Sequence, residues 1–206
     1  MELPSPLEAA ANAALLASVY LARRNSVHTW WTGMVAVSLF AVFFFGLKLY
    51  ADVVLQAFFF GTCVYGWWAW ARGGDAGGAL PISTLSARGW LLALGAIAGA
   101  VLFFGTVFSR FTDAALPYPD SFILGGSVVA QVLMMRRVRD HWPVWVAVDV
   151  VAVAVYGAKG AYLTAGVYAV LLGLCLQGIR EWGRLYAAQG VAPQITAASG
   201  AAPQVP

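Results

Sequence analysis

The chain has 206 residues, 61% of them hydrophobic and 10% charged, and its twelve Lys and Arg against nine Asp and Glu leave a formal net charge of +3; mean hydropathy is +0.76. Soluble domains are about half apolar and about a quarter charged, so this composition excludes a water-soluble globule. The small net charge gives no argument for nucleic acid, and continuous apolar runs of roughly 17–20 residues exclude the alternating ~10-residue strands of an outer-membrane barrel.

Residues 7–22 read as a first membrane span, short and Ala-rich, ending at Arg23 and Arg24. The preceding residues carry Glu2 in place of a basic start, and no cleavage site follows the first apolar run, so no signal peptide is expected. Span two covers 30–47, with Trp30 and Trp31 at the level of an aromatic belt. A tight turn around Lys48 leads into span three, 50–71, which carries Gln56, Tyr65, Trp67, Trp68 and Trp70 among its apolar residues. A Gly-rich connector, 72–88, has no periodic pattern and reads as an aqueous loop.

Span four, 89–108, is almost wholly Ala, Leu, Gly, Val and Phe and offers nothing to a polar solute. A connector with Pro117 and Pro119 precedes span five, 121–135, which ends at Arg136, Arg137 and Arg139. Span six is 142–158, a turn at Lys159 and Gly160 follows, and span seven is 161–179. From Leu185 the chain turns to Ala, Gln, Pro and Gly and reads as a disordered tail. The expected fold is therefore all-α, an integral membrane protein of seven transmembrane helices. Cys63 and Cys175 both lie deep in apolar spans without ligand spacing and read as packing residues.

The basic residues orient these spans. Arg23, Arg24, Arg72, Arg88, Arg136, Arg137, Arg139, Arg180 and Arg184 fall on one side, against Lys48, Arg110 and Lys159 on the other. The positive-inside rule then places the N-terminus outside and the C-terminus in the cytoplasm.

An internal repeat organises the chain. Laid over one another at an offset of 112, residues 50–72 and 162–184 match Tyr50 with Tyr162, Gly61 with Gly173, Cys63 with Cys175, Gly66 with Gly178, Trp70 with Trp182 and Arg72 with Arg184. Upstream the match continues with shifts of one residue, Trp31 falling on Trp142 and Lys48 on Lys159. Two copies of a three-helix unit follow, residues 1–72 and 121–184. They are joined by a connector, 73–120, whose helix at 89–108 supplies the extra crossing that makes the copies parallel, with a tail at 185–206. This is a 3+1+3, SWEET-like plan, in which a solute sits near the midplane between the repeats.

The run YGWWAW at Tyr65–Trp70, the run LYADVVLQAFFF before it and the run WVAVDVVAVAVYGAKGAYLTAGVYAVLLGL across spans six and seven resemble the PnuC family of vitamin transporters. The similarity covers roughly residues 10–184, and Trp67 and Trp70 match the family's WxxW signature. The resemblance implies facilitated diffusion of nicotinamide riboside, thiamine or riboflavin through the bacterial cytoplasmic membrane. It also implies trapping of the vitamin by intracellular phosphorylation, and a homo-oligomer, a trimer. A SWEET-like sugar carrier is a more distant alternative.

The residues agree with a passive carrier. The sequence holds no phosphate-binding GxxxxGK[ST] loop, no buried carboxylate–histidine chain and no nucleophile–base pair, so neither catalysis nor a cofactor is expected; His28 and His141 read as solvated loop residues. A cationic vitamin in a bilayer needs aromatic faces and hydrogen-bond partners. Trp67 is the first binding candidate, with a belt position as its alternative; Trp70, next to Arg72, and Trp182 read more readily as belt residues. Gln56, Gln131, Asp149 and Gln177 lie inside spans, where each serves either a helix–helix hydrogen bond or the solute. Tyr65 and Gln177, paired by the repeat, are expected to oppose one another. Asp149 either attracts a cation or is protonated and bonded to a neighbouring helix. Tyr156, Tyr162 and Tyr168 either line the outer half of the path or anchor at the surface.

Overall fold

Apolar segments of this length satisfy their backbone groups in a bilayer by coiling into helices. Among its described residues the computed structural model has seven: α1 (Pro6–Arg23), α2 (His28–Gly46), α3 (Tyr50–Arg72), α4 (Ala87–Phe111), α5 (Pro117–Met135), α6 (His141–Ala158) and α7 (Tyr162–Ser199). The structure describes residues 5–46, 48, 50–72 and 80–199, with the backbone alone at 50, 51 and 190–199. Among the described residues there is no strand, only an isolated bridge between Ser83 and Val138. Five helices, α2, α3, α4, α6 and α7, are long and apolar enough to cross a membrane. α1 and α5 are of similar length but more polar, and they hold the same place in the two units.

Local signals set the helix starts. The Ser5 hydroxyl caps α1 by accepting from the Glu8 amide at 3.1 Å, and Ser86 caps α4 through Gly89 at 3.2 Å. Pro117 and Pro119, expected in a connector, instead lie in the first turn of α5, where a missing amide hydrogen costs nothing. The C-terminal stretch also departs from expectation, since α7 stays helical to Ser199. Ala187, Ala188 and Gln189 are good helix formers, and Tyr186 is held under the Arg139 guanidinium at 5.1 Å.

The helices on either side of α4 repeat one another in detail, at a constant separation of 112 positions. Asn25 and Arg137 take left-handed backbone conformations, φ 53° and 57°, and so do Lys48 and Gly160, φ 60° and 74°. Around Asn25 the amides of 25, 26, 29 and 30 bond to the carbonyls of 22, 21, 26 and 27; around Arg137 those of 137, 138, 141 and 142 bond to 134, 133, 138 and 139. Each corner is a Schellman ending followed at once by the next helix. The constant spacing corrects the shift of one residue: the counterpart of Trp142 is Trp30, not Trp31, and that of Lys48 is Gly160. Trp31 is half exposed and bonds His28 Nδ1 at 3.0 Å.

Packing repeats as well. A Cβ added at Gly66 would lie 2.5 Å from the Trp30 ring, and one at Gly178 would lie 2.6 Å from Trp142. In both units the glycine lets the tryptophan of the middle helix lie flat on the third. α1 packs on α2 and α7, α3 on α2 and α5, while α4 lies against α5.

Candidate functional site

The two corner residues meet. Arg137 donates through Nε and Nη2 to Asn25 Oδ1 at 3.1 and 2.9 Å, and through Nη1 to the Leu80 carbonyl. Trp70 and its counterpart Trp182 also touch, with ring centroids 5.6 Å apart. Equivalent residues of two copies touch only where the axis relating the copies passes between them, so both pairs mark that axis. Around it five rings form a continuous seal. Trp30 meets Trp70 edge-on at 5.2 Å, and Trp182 meets His141 at 4.8 Å, with His141 against Trp142 at 4.5 Å. Trp182 Nε1 donates to the Ala22 carbonyl at 2.9 Å, and the Arg137 guanidinium covers Trp70 at 5.0 Å. Burial lowers the Arg137 pKa from its ordinary value.

Above this seal lies a cavity of about 420 Å³, within the ~300–1,000 Å³ of small-molecule sites. It extends from Trp30 and Trp142 to the far helix ends, at Glu8 on α1, Phe44 on α2, Tyr156 on α6 and Thr164 on α7. Its lining respects the axis. Leu15 and Ser127, Val19 and Gln131, Trp30 and Trp142, Val37 and Asp149, Phe44 and Tyr156, Gln56 and Tyr168, and Cys63 and Cys175 are pairs 112 apart in which both members line the wall. Among the described lining residues the acids are Glu8 and Asp149, and there is no Lys or Arg.

Asp149 is 2% exposed; its carboxyl neighbours the Cys175 thiol, and its Oδ2 has no hydrogen-bond partner. Tyr156 and Tyr168 stack at 5.4 Å, 13° from parallel. Gln131 Nε2 donates to Thr62 Oγ1 at 3.1 Å, tying α5 to α3.

Of the residues singled out from the sequence, Gln56, Gln131, Asp149, Tyr156 and Tyr168 line this cavity, and Tyr65, Trp67, Trp70, Tyr162 and Gln177 do not. The inward stripe of α3 is Gln56, Phe59, Cys63, Gly66 and Trp70, at helical spacing, which turns Tyr65 and Trp67 outward, each about half exposed. Trp67 borders a separate recess with Trp70 and Arg137. Trp70 and Trp182, read as belt residues, are 4% and 0% exposed and belong to the seal. Gln177 is exposed and accepts from Arg23, which also lies 3.4 Å from Glu181, so Tyr65 and Gln177 do not oppose one another. His141, expected in solvent, is fully buried with Nδ1 2.7 Å from the Val138 carbonyl.

Sequence reasoning missed Trp30 and Trp142 as the cavity floor, although the glycines that receive them, Gly66 and Gly178, were matched by the repeat.

A family described as Nicotinamide mononucleotide transporter matches residues 5–184 of this chain. The nicotinamide riboside transporter PnuC of Escherichia coli (strain K12) is 30% identical over 203 residues, covering 85% of this chain and 84% of that one. The riboflavin/roseoflavin transporter RibM of Streptomyces davaonensis is 29% identical over 172 residues, covering 81% of this chain and 79% of its own. Among solved structures, the crystal structure of the vitamin B3 transporter PnuC superposes with a TM-score of 0.70 at 23% identity, covering 88% of this chain and 82% of the other, which establishes the likeness of fold.

Proposed function

The chain belongs to the nicotinamide mononucleotide transporter family, and on that premise we propose that it carries nicotinamide riboside, a flat pyridinium nucleoside, across the bacterial cytoplasmic membrane. The observation that carries this reading is the charge of the cavity. Asp149 and Glu8 line it without any described Lys or Arg. A pyridinium finds a carboxylate and aromatic faces there. A phosphate would enter with no cation to receive it, so the nucleoside suits the wall better than the nucleotide.

The excess of arginine at the sealed end makes that end cytoplasmic and the N-terminus external, so the cavity faces outward in this conformation. The two three-helix units, parallel about an axis along the membrane normal, exchange access by rocking against one another. Transport is facilitated diffusion, drawn inward by phosphorylation of the product. The resemblance to PnuC further supports a homotrimer. In this reading Asp149, Gln56 and Tyr168 contact the solute, and Trp67 has no part in binding.

Riboflavin is the second reading, favoured by the similarity to RibM; thiamine, also a flat cation, is the third. Purified protein in liposomes should equilibrate labelled nicotinamide riboside faster than empty vesicles do, with the 5′-phosphorylated form a poor competitor. Faster equilibration of riboflavin or thiamine, with no acceleration of nicotinamide riboside, would replace the first reading.

A further inference from the structure

Four of the pairs named above are unequal in chemistry, and all four in one direction. Where a pair with both members on the wall differs in polarity, the polar member comes from the second unit: Ser127, Gln131, Asp149 and Tyr156, each matched by the repeat to a hydrocarbon side chain of the first. Gln56 and Tyr168 are polar on both sides. On the second unit Gln131 is already tied to Thr62, which leaves Ser127, Asp149 and Tyr156 to meet the solute; the polar residues that the first unit brings without a lining counterpart are likewise engaged or lie at the rim. Ser18 Oγ donates to the Thr29 carbonyl at 2.8 Å and Thr29 Oγ1 to the Ser18 carbonyl at 2.9 Å. Glu8 and Asn12 sit in the first turns of α1, and Asn12 Nδ2 bonds the Glu8 carbonyl at 2.9 Å.

We propose that recognition is divided between the two walls. The α5–α6 wall reads the hydrogen-bonding and charged edge of the solute, the α1–α2 wall backs its apolar side, and the solute therefore binds in one of the two orientations that the pseudo-twofold architecture allows. Asp149 is the specificity-determining residue for charge, and Tyr156 reads a hydroxyl or amide. The physical basis is asymmetric cost. A polar edge turned toward Leu15, Val19, Val37 and Phe44 would lose its water without replacement, and the carboxylate opposite would stay unpartnered. Sites built around buried polar groups discriminate strongly for that reason. This inference deepens the proposed function and takes nicotinamide riboside as its first probe.

The test is affinity measured on full-length protein in detergent, for nicotinamide riboside and for its reduced, uncharged dihydropyridine form of nearly equal shape. The wild type should prefer the cation. Asp149→Asn, equal in shape, should weaken cation binding by on the order of 30-fold or more while changing the neutral form little. Tyr156→Phe should weaken both forms alike, and Phe44→Tyr should strengthen neither. The exchange Val37→Asp with Asp149→Val, which separates the charge from the rest of the polar wall, should not restore the preference.

An equal loss of both forms in Asp149→Asn, or recovery of cation preference in the exchange variant, would overturn the division of walls. Melting temperatures of each variant separate a folding defect from a binding one, and the single-oxygen changes at 44 and 156 remain informative should the exchange variant fail to fold. If the wild type binds riboflavin or thiamine and neither nicotinamide form, the substrate reading falls by itself. The wall inference then stands if Tyr156→Phe weakens that vitamin and Phe44→Leu does not, and falls if the two are equivalent.

Discussion

At the sealed end of the axis the two units meet as near equals; a few helical turns along, in the cavity, they have become different. The seal pairs Trp30 with Trp142, Trp70 with Trp182 and Gly66 with Gly178, each tryptophan of the middle helix resting on a glycine in the same way. The cavity sets Val37 against Asp149 and Phe44 against Tyr156. Closing an end is a problem of shape, which both copies solve with the same residues. Holding one solute is a problem of chemistry, and a solute without twofold symmetry is not served by two identical walls.

The comparison is sharpest where the seal is broken. Trp182→Ala removes a fully buried ring and its bond to the Ala22 carbonyl, and should cost about 3–5 kcal/mol in detergent unfolding. Trp31→Ala, at a half-exposed ring, should cost far less, and equal losses would refute the inward placement of the five rings. Next come Gly66→Ala and Gly178→Ala, which force a methyl into the Trp30 and Trp142 rings. Each should destabilise by about 1–3 kcal/mol, and by similar amounts if the units are equal at this end.

Arg137→Ala, which unties Asn25, should cost about 1.5–3 kcal/mol, offset in part by relief of the left-handed strain at 137 only if glycine is used instead. At the small end, Gly61→Ala and Gly173→Ala meet nothing within 4 Å and should be neutral or stabilising by up to about 1 kcal/mol. Lys159→Met, which removes the exposed pair with Asp120, should change stability by under about 1 kcal/mol.

The architecture was legible in the sequence because membrane spans announce themselves by length and because Gly, Trp, Tyr and Arg matched in order at one spacing. The register of the first two helices was not, since Trp30 and Trp31 are adjacent and identical and either one fits a match to Trp142. The backbone corners at 25 and 137, and the contact of Trp30 with Gly66 and of Trp142 with Gly178, decide between them. The candidate site was half legible. Gln56, Asp149 and Tyr168 are polar groups in apolar spans and lie on the wall.

Trp67 lies off the wall because Trp67, Trp68 and Trp70 fan over nearly half of the circumference of α3, and which of them turns inward is set by how α2 seats against it. His141 failed because a tight Schellman corner starts α6 at once, leaving no loop for the ring to occupy. Of the expected tail, 185–199 is helical because helix propensity suffices without hydrophobicity, and 200–206 lie outside the described residues.

Asn25 and Arg137 are each the corner of a three-helix unit, and they are bonded to one another. The two units are thus fastened corner to corner on the axis between them, beside the contact of Trp70 with Trp182 and the Trp182 bond to the Ala22 carbonyl. Rotating one unit away from the other must stretch these ties first, so the arginine end is the more firmly clamped end of the pair.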